Sequence, residues 1–343
     1  MEKYSKWRDS GTGIQPFLQP VPARTQQTAF KSVLGAVKSY IVGPVVSVMR
    51  LASLALTVVA DTITNTIGVL LVVPSIKRKY SQCTRSVLAR LALFIMGFYS
   101  IDAKTVGLQR GRRSGLKVRK VEVKSGDLII ANHVSYIDVL WLVAKYNPVF
   151  VEIDNASSMV QRISMWTALR APALQTPALL QASNARTLKS VTEEARLNKL
   201  GPVVVFPENA TSNGRALLRL LPMFEEPENL DEKSQIHVMA LKYPAQSFSP
   251  AYSVGSQFWH LFVLCCQVYN SLVVRILEQD ECPKVKESAL FCDADMDPVN
   301  LDEAVREKLL QLSRLRMTKL SAMDKRDFLV FYNKRKTGYR SNI

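Results

Sequence analysis

Two segments of the chain hold residue types that could activate a hydroxyl and hold a phosphate. The first, Asn132-His133-Val134-Ser135-Tyr136-Ile137-Asp138, lies between the strand-like run Asp127–Ala131 and an apolar helical stretch. His133 and Asp138 are five apart, which on an ideal helix separates them by about 140°, so they cannot meet if both are helical. His133 therefore belongs to the loop before the helix. Ser135 reads as N-cap and Asp138 as N3, a first-turn position from which a carboxylate can turn back toward the loop. In that pose Asp138 holds one imidazole nitrogen while the other faces a substrate hydroxyl. Imidazole, which titrates near neutrality, is suited to take that proton as the alcohol attacks a thioester carbonyl. The substrate, rather than a protein serine, then supplies the nucleophile. Taken alone, the spacing fits equally a pair of helix-capping residues beside an ordinary loop histidine.

The second segment follows the strand-like Val203–Phe206, about seventy residues after His133, and reads Pro207-Glu208-Asn209-Ala210-Thr211-Ser212-Asn213-Gly214-Arg215. A strand entering a loop of Ser, Thr, Asn and Gly closed by an arginine offers backbone donors and a cation to a phosphate. Together the two segments resemble the first and third blocks of the glycerolipid acyltransferase family, NHxSxxD and FPEGTxS, the latter continued by SNGxxLL. Asn209-Ala210 stand where the family has Gly-Thr, and Thr211 where an arginine often follows. The second block falls near Pro177–Arg186, where Ala182 or Ser183 takes the arginine position and Arg186 is the candidate replacement. The fourth matches loosely at Val238–Pro244.

The resemblance implies His133 and Asp138 as the catalytic pair. It implies a substrate-binding set of Glu208, Thr211, Ser212, Asn213, Gly214, Arg215 and Arg186, with Glu208 either placing a phosphoglycerol headgroup or ordering its loop. Acyl-CoA is the implied co-substrate, lysophosphatidic acid or a related lysophospholipid the acceptor, and neither a metal nor a bound organic cofactor is implied. The FPENATSNGR loop, the helix beginning at Trp259 and the Asp324–Tyr332 tail are similar to fungal lysophosphatidic acid:oleoyl-CoA acyltransferases. That likeness implies sn-2 acylation to phosphatidic acid in glycerolipid and triacylglycerol synthesis, at the endoplasmic reticulum membrane and lipid droplet, with the catalytic domain facing the cytosol. The altered second and third blocks keep a non-catalytic membrane lipid-binding scaffold of the same fold as the alternative.

The elements that must position these residues are of two kinds. Beyond Lys120, short apolar strands alternate with helical stretches, the signature of an α/β domain with a mixed sheet and surrounding helices. Strands are expected at Asp127–Ala131, Val149–Ile153, Val203–Phe206 and His237–Leu241, and a helix over Ala185–Leu200. Phe258–Val274 is apolar over nearly a membrane's thickness, as a packed helix or a span. Upstream, Val33–Pro74 is almost continuously apolar, broken by Lys38, Arg50, Asp61 and Asn65. Charges at mid-bilayer are costly, so this stretch is expected to form two shorter helices meeting near Asp61–Asn65, with Ser86–Ile101 as an interfacial amphipathic helix. The other reading is that these are core helices of a soluble domain. The organisation expected is a flexible cytosolic tail over 1–30, membrane-associated helices over 31–101, the HxxxxD acyltransferase domain over 102–295 and a helical extension over 296–343. In that extension, Asn300 and Glu303 are spaced as a capping box for a helix to about Arg314, a second short helix follows Asp324, and a loose basic tail begins at Lys334.

Composition narrows the partners. With 48% hydrophobic and 22% charged residues the chain is too apolar for a disordered protein. The net charge of +16 suits nucleic acid, anionic membrane or phosphate-bearing substrates alike. Its placement favours membrane lipids and excludes nucleic acid from the expected partners: Lys77, Arg78, Lys79, Arg85 and Arg90 follow one apolar stretch, and Arg110, Arg112, Arg113, Lys117, Arg119 and Lys120 lie beyond the next, with few aromatics interleaved. Cys83, Cys265, Cys266, Cys282 and Cys292 lack CxxC spacing and nearby histidines, so neither a disulfide framework nor a zinc site is expected, in keeping with a reducing, cytosol-facing compartment.

Overall fold

The computed structural model describes residues 4–20, 41–108, 121–154, 159–173, 185–224, 231, 233–244, 248–284 and 301–340. Its centre is a seven-stranded mixed sheet in the order β1-β8-β7-β2-β5-β3-β4. The strands are β1 (Ile101–Val106), β2 (Leu128–Ala131), β3 (Val149–Ile153), β4 (Val160–Ile163), β5 (Val203–Val205), β7 (Ile236–Lys242) and β8 (Leu272–Leu277), while β6 (Ala216–Leu217) pairs separately with β9 (Arg316–Met317). β2 lies parallel to both β5 and β7, and β3 parallel to β5; β4 on β3 and β8 on β7 are antiparallel. The central strands are continuous apolar runs because both faces are covered. Along β2, Ile129 and Ala131 enter one core and Leu128 and Ile130 the other, the period of two that a strand imposes.

The helices are α1 (Gly43–Leu70), α2 (Pro74–Ile95), α3 (Tyr136–Tyr146), α4 (Met165–Arg170), α5 (Leu188–Leu197), α6 (Gln257–Cys266), α7 (Leu301–Ser313) and α8 (Ala322–Arg340). Leu93 of α2, Ile137 and Leu142 of α3 and Leu264 of α6 cover one face of the sheet. Val191 and Ala195 of α5 and Val305, Leu309 and Leu312 of α7 cover the other. The segment expected to be an extension is thus part of the core through α7.

Several expectations are corrected. The helix break falls at 71–73 rather than at Asp61–Asn65: α1 runs through those residues because Asn65 Nδ2 donates to Asp61 one turn earlier, 3.0 Å away, and Pro74 begins the next helix. Ser86–Ile101 is not a separate interfacial helix but the second half of α2 and the start of β1, with Ala89 and Leu93 buried in the core. The apolar run from Phe258 divides into the ten-residue α6 and strand β8, too short a helix to cross a bilayer. The second C-terminal helix is longer than expected and continues past Lys334 to Arg340.

The N-terminal tail is also corrected over 4–20. Trp7 and Phe17 are buried against Phe328 and Leu329 of α8 and Leu218, a cluster that no periodic pattern announces because it is built from isolated aromatics in irregular chain. Val33, Lys38, the basic run from Arg110 to Lys120, Ala182, Ser183, Cys292 and the Asn300 cap lie outside the described residues.

α1 is long and apolar enough to cross a membrane, at about 42 Å for its 28 residues, and Val48, Leu56, Val69 and Leu70 are exposed. Its Arg50 turns to the neighbouring helix α6. The guanidinium donates to the carbonyls of Cys265 (3.0 Å) and Val268 (3.1 Å) at the C-terminal end of α6, and Arg90 donates to Phe98 O (2.9 Å) and Tyr99 O (2.8 Å) in the connection from α2 to β1. Arg50 thereby complements the negative end of α6, and Arg90 holds the chain leaving α2.

Candidate active site

β2, β5 and β7 are mutually parallel neighbours, so their carboxyl ends open on one edge of the sheet, where open α/β sheets bind ligands. Asn132 leaves β2 there and ties it to β7: its Nδ2 donates to Leu241 O at 3.0 Å and its Oδ1 accepts from Leu241 N at 2.7 Å. His133 follows in the loop, and α3 begins behind an N-cap at Ser135 with Asp138 at N3, a capping box as the sequence indicates.

The Asp138 carboxylate is fully buried and makes four hydrogen bonds. Oδ2 accepts from Val134 N (2.7 Å) and Ser135 N (2.8 Å) and lies 3.2 Å from His133 Nδ1; Oδ1 accepts from the Tyr243 hydroxyl at 2.5 Å. Burial and the adjacent carboxylate push the Tyr243 phenol well above its usual range, so it stays a donor. The imidazole stacks on Phe206 at 4.2 Å between centroids and 18° between planes. Its plane is thus fixed by a ring and its rotation by a carboxylate.

The second segment builds the wall beside it. Glu208 is fully buried, and its carboxylate accepts from His133 N (3.0 Å) and Leu218 N (2.8 Å). Ser212 N donates to His133 O at 3.1 Å. Both backbone polar groups of His133 are therefore held by this loop. Burial pushes the Glu208 carboxyl up to about 8, opposed by the two backbone donors. Asn209 has φ of +48°, a left-handed conformation that asparagine tolerates better than most residues, which is how it can stand in a glycine position. Its Nδ2 donates to Ile153 O at 2.9 Å. Gly214 has φ of +72°, and a Cβ there would lie 3.1 Å from Val134 Cγ1, so glycine is required on two counts.

Of the residues expected to bind substrate, Glu208, Thr211, Ser212 and Asn213 are buried and engaged within the protein, Glu208 in the loop-ordering role that was its other expected part. Thr211 receives the amine of Lys325, and Asn213 Nδ2 donates to Gln15 O (2.8 Å) and Leu18 O (2.9 Å). Their polar atoms build the loop. Gly214 is part-buried and Arg215 exposed at its end. Arg186 is not brought to the dyad: it bridges to Val160 at the start of β4, three strands or about 14 Å from β2, and pairs with Glu194 at 2.7 Å. Sequence reasoning missed Phe206, Tyr243 and Lys325 as parts of the site. The first two lie inside quoted blocks, next to Pro207 and in Val238–Pro244; Lys325 lies in the quoted Asp324–Tyr332 stretch, where nothing local points to Thr211. Among the described residues no group of three or more His, Cys, Asp or Glu could hold a metal ion.

The chain matches no established family profile. It is 29% identical over 335 residues to an inferred lysophosphatidic acid:oleoyl-CoA acyltransferase of Schizosaccharomyces pombe, covering 96% of this chain and 97% of that one. It is 30% identical over 206 residues to a lysophospholipid acyltransferase of Arabidopsis thaliana, covering 54% of this chain and 49% of the plant protein. Among solved structures, the 1-acyl-sn-glycerophosphate acyltransferase PlsC of Thermotoga maritima aligns over 79% of this chain and 97% of its own, at 15% identity and a TM-score of 0.40. The similarity to the fission-yeast protein thus extends over nearly the whole chain.

Proposed function

We propose that the chain transfers a fatty acyl group from acyl-CoA to the sn-2 hydroxyl of lysophosphatidic acid, giving phosphatidic acid. The observation that carries this reading is the His133–Asp138 pair, oriented at 3.2 Å at the carboxyl edge of the parallel strands. Full-length similarity to the fission-yeast protein gives it a substrate class. His133 Nε2 accepts the hydroxyl proton as the oxygen attacks the thioester carbonyl. The tetrahedral intermediate then collapses, the carbon–sulfur bond breaks, and the proton passes from the imidazolium to the departing CoA sulfur. Asp138 orients the ring and offsets the charge it acquires. Arg215 at the exposed end of the Glu208–Arg215 loop is the cation offered to the acceptor phosphate.

A cavity of about 620 Å³, lined mainly by apolar side chains including Leu54, Ala89, Met96, Tyr136, Leu140 and Leu261, suits an acyl chain. Tyr136 and Leu140, both on α3, line it, as does Leu54 of α1. α1, with its exposed apolar face, seats the domain on a membrane, which we propose to be the cytosolic face of the endoplasmic reticulum and the lipid droplet.

The test is acyl transfer from oleoyl-CoA in detergent or liposomes, comparing wild type with His133→Ala. Lysophosphatidic acid is set beside lysophosphatidylcholine, lysophosphatidylethanolamine and lysophosphatidylinositol as acceptors. Loss of transfer in a variant that still associates with membranes is expected. A variant as active as wild type, or a wild type inert toward every lysophospholipid, sinks the catalytic reading, while preference for another headgroup would move the acceptor to the broader class of the plant relative.

A further inference from the structure

Lys325 stands in the first turn of α8, almost two hundred residues from the dyad in sequence, yet its side chain is buried at 4% exposure. Its amine donates to the backbone carbonyl of Thr211 at 2.7 Å and to the Thr211 hydroxyl. Thr211 precedes Ser212, whose N–H holds His133 O, and the same loop carries Glu208, whose carboxylate holds His133 N. The ammonium is also the cation that acts on Glu208, while the like charge of Asp138 acts on it in the opposite sense. A charged amine is costly to bury, and burial depresses this one to about 7. An apolar residue would fill the same space more cheaply in a purely structural role.

From this geometry we infer that Lys325 is a positioning residue for the acyl transfer proposed above: it fixes the Glu208–Ser212 loop, and through that loop the backbone of His133. The inference rests on the proposed function for its activity readout and on structure alone for its second readout.

The experiment uses the full chain in one detergent, as wild type, Lys325→Met and the milder Thr211→Val. It records kcat for oleoyl transfer to lysophosphatidic acid across pH, and amide hydrogen exchange in peptides covering 132–140 and 207–218. Lys325→Met is expected to lower kcat roughly tenfold or more, since a hydrogen bond from a charged group is lost. Its acid limb should move to higher pH: the ionised Glu208 accepts both N–H groups, the protonated form gives one up, and without Lys325 only the two backbone donors oppose the effects of burial and Asp138. Exchange should quicken in both peptides, with Thr211→Val changing in the same direction by less. Wild-type kcat and exchange in both variants overturn the inference. So does a loss of activity uniform across pH with unchanged exchange. If the wild type transfers no acyl group, the functional reading fails, and exchange still decides whether Lys325 holds the loop.

Discussion

Replacing Asp138 by asparagine separates the charge of the dyad from its geometry. Three groups converge on Asp138 Oδ2: His133 Nδ1, Val134 N and Ser135 N. In Asp138→Asn the amide oxygen must occupy that point, because an NH2 there would face two backbone N–H groups. The NH2 is then left to Tyr243, whose hydroxyl can turn from donor to acceptor. The helix cap and the imidazole orientation survive, and what disappears is the negative charge beside the imidazolium. Two unit charges about 4 Å apart at an effective dielectric of about 20 interact by about 4 kcal/mol. At about 1.4 kcal/mol per factor of ten, kcat should fall by up to about a thousandfold, and by about thirtyfold if half the interaction is realised. The assay is steady-state transfer from oleoyl-CoA with the thermal midpoint measured in parallel. Asp138→Ala should lose as much activity and also destabilise the fold, since it strips the cap and leaves buried donors unpaired. An Asp138→Asn enzyme retaining more than about a tenth of wild-type kcat refutes the charge argument, and one that fails to fold refutes the placement of the amide oxygen.

Gly214→Ala should cost about 1–2 kcal/mol in stability for the left-handed backbone, and more as the new methyl meets Val134. Combining it with Val134→Ala should restore part of that loss in denaturant unfolding, and full additivity of the two changes would argue against the contact. Arg186→Ala should leave the acceptor KM within about twofold, because the exposed guanidinium engages a half-buried glutamate away from the dyad; a KM raised by an order of magnitude would return Arg186 to the acceptor site.

The parts of this protein legible in its sequence are those fixed by local interactions. Ser135 and Asp138 form the capping box their spacing demands, and the strands at Val149–Ile153 and around Leu128, Val203 and Val238 are short apolar runs bounded by turn residues. β8 was hidden because LVVRIL continues the apolar stretch of α6, where periodicity alone cannot divide a helix from a buried strand. The clamp on His133 was legible as a motif but not as a geometry. Glu208 reads as placing a headgroup or ordering its loop, and only the tertiary structure shows its carboxylate turned inward to two backbone amides. Tyr243 and Lys325 reach their partners across more than a hundred residues, a separation over which no pattern in the chain carries information.

The contact between α8 and the Glu208–Asn213 loop also orders events in time. A ribosome delivers α1 before the dyad, then the loop, and α8 after all three. A nascent chain can therefore form its sheet while the loop still lacks Lys325 and the aromatic cluster of Trp7, Phe17 and Phe328 remains open. On the proposed function, competence for acyl transfer waits for α8, and a fragment ending before Ala322 is its observable: expected to carry both motifs and to transfer no acyl group.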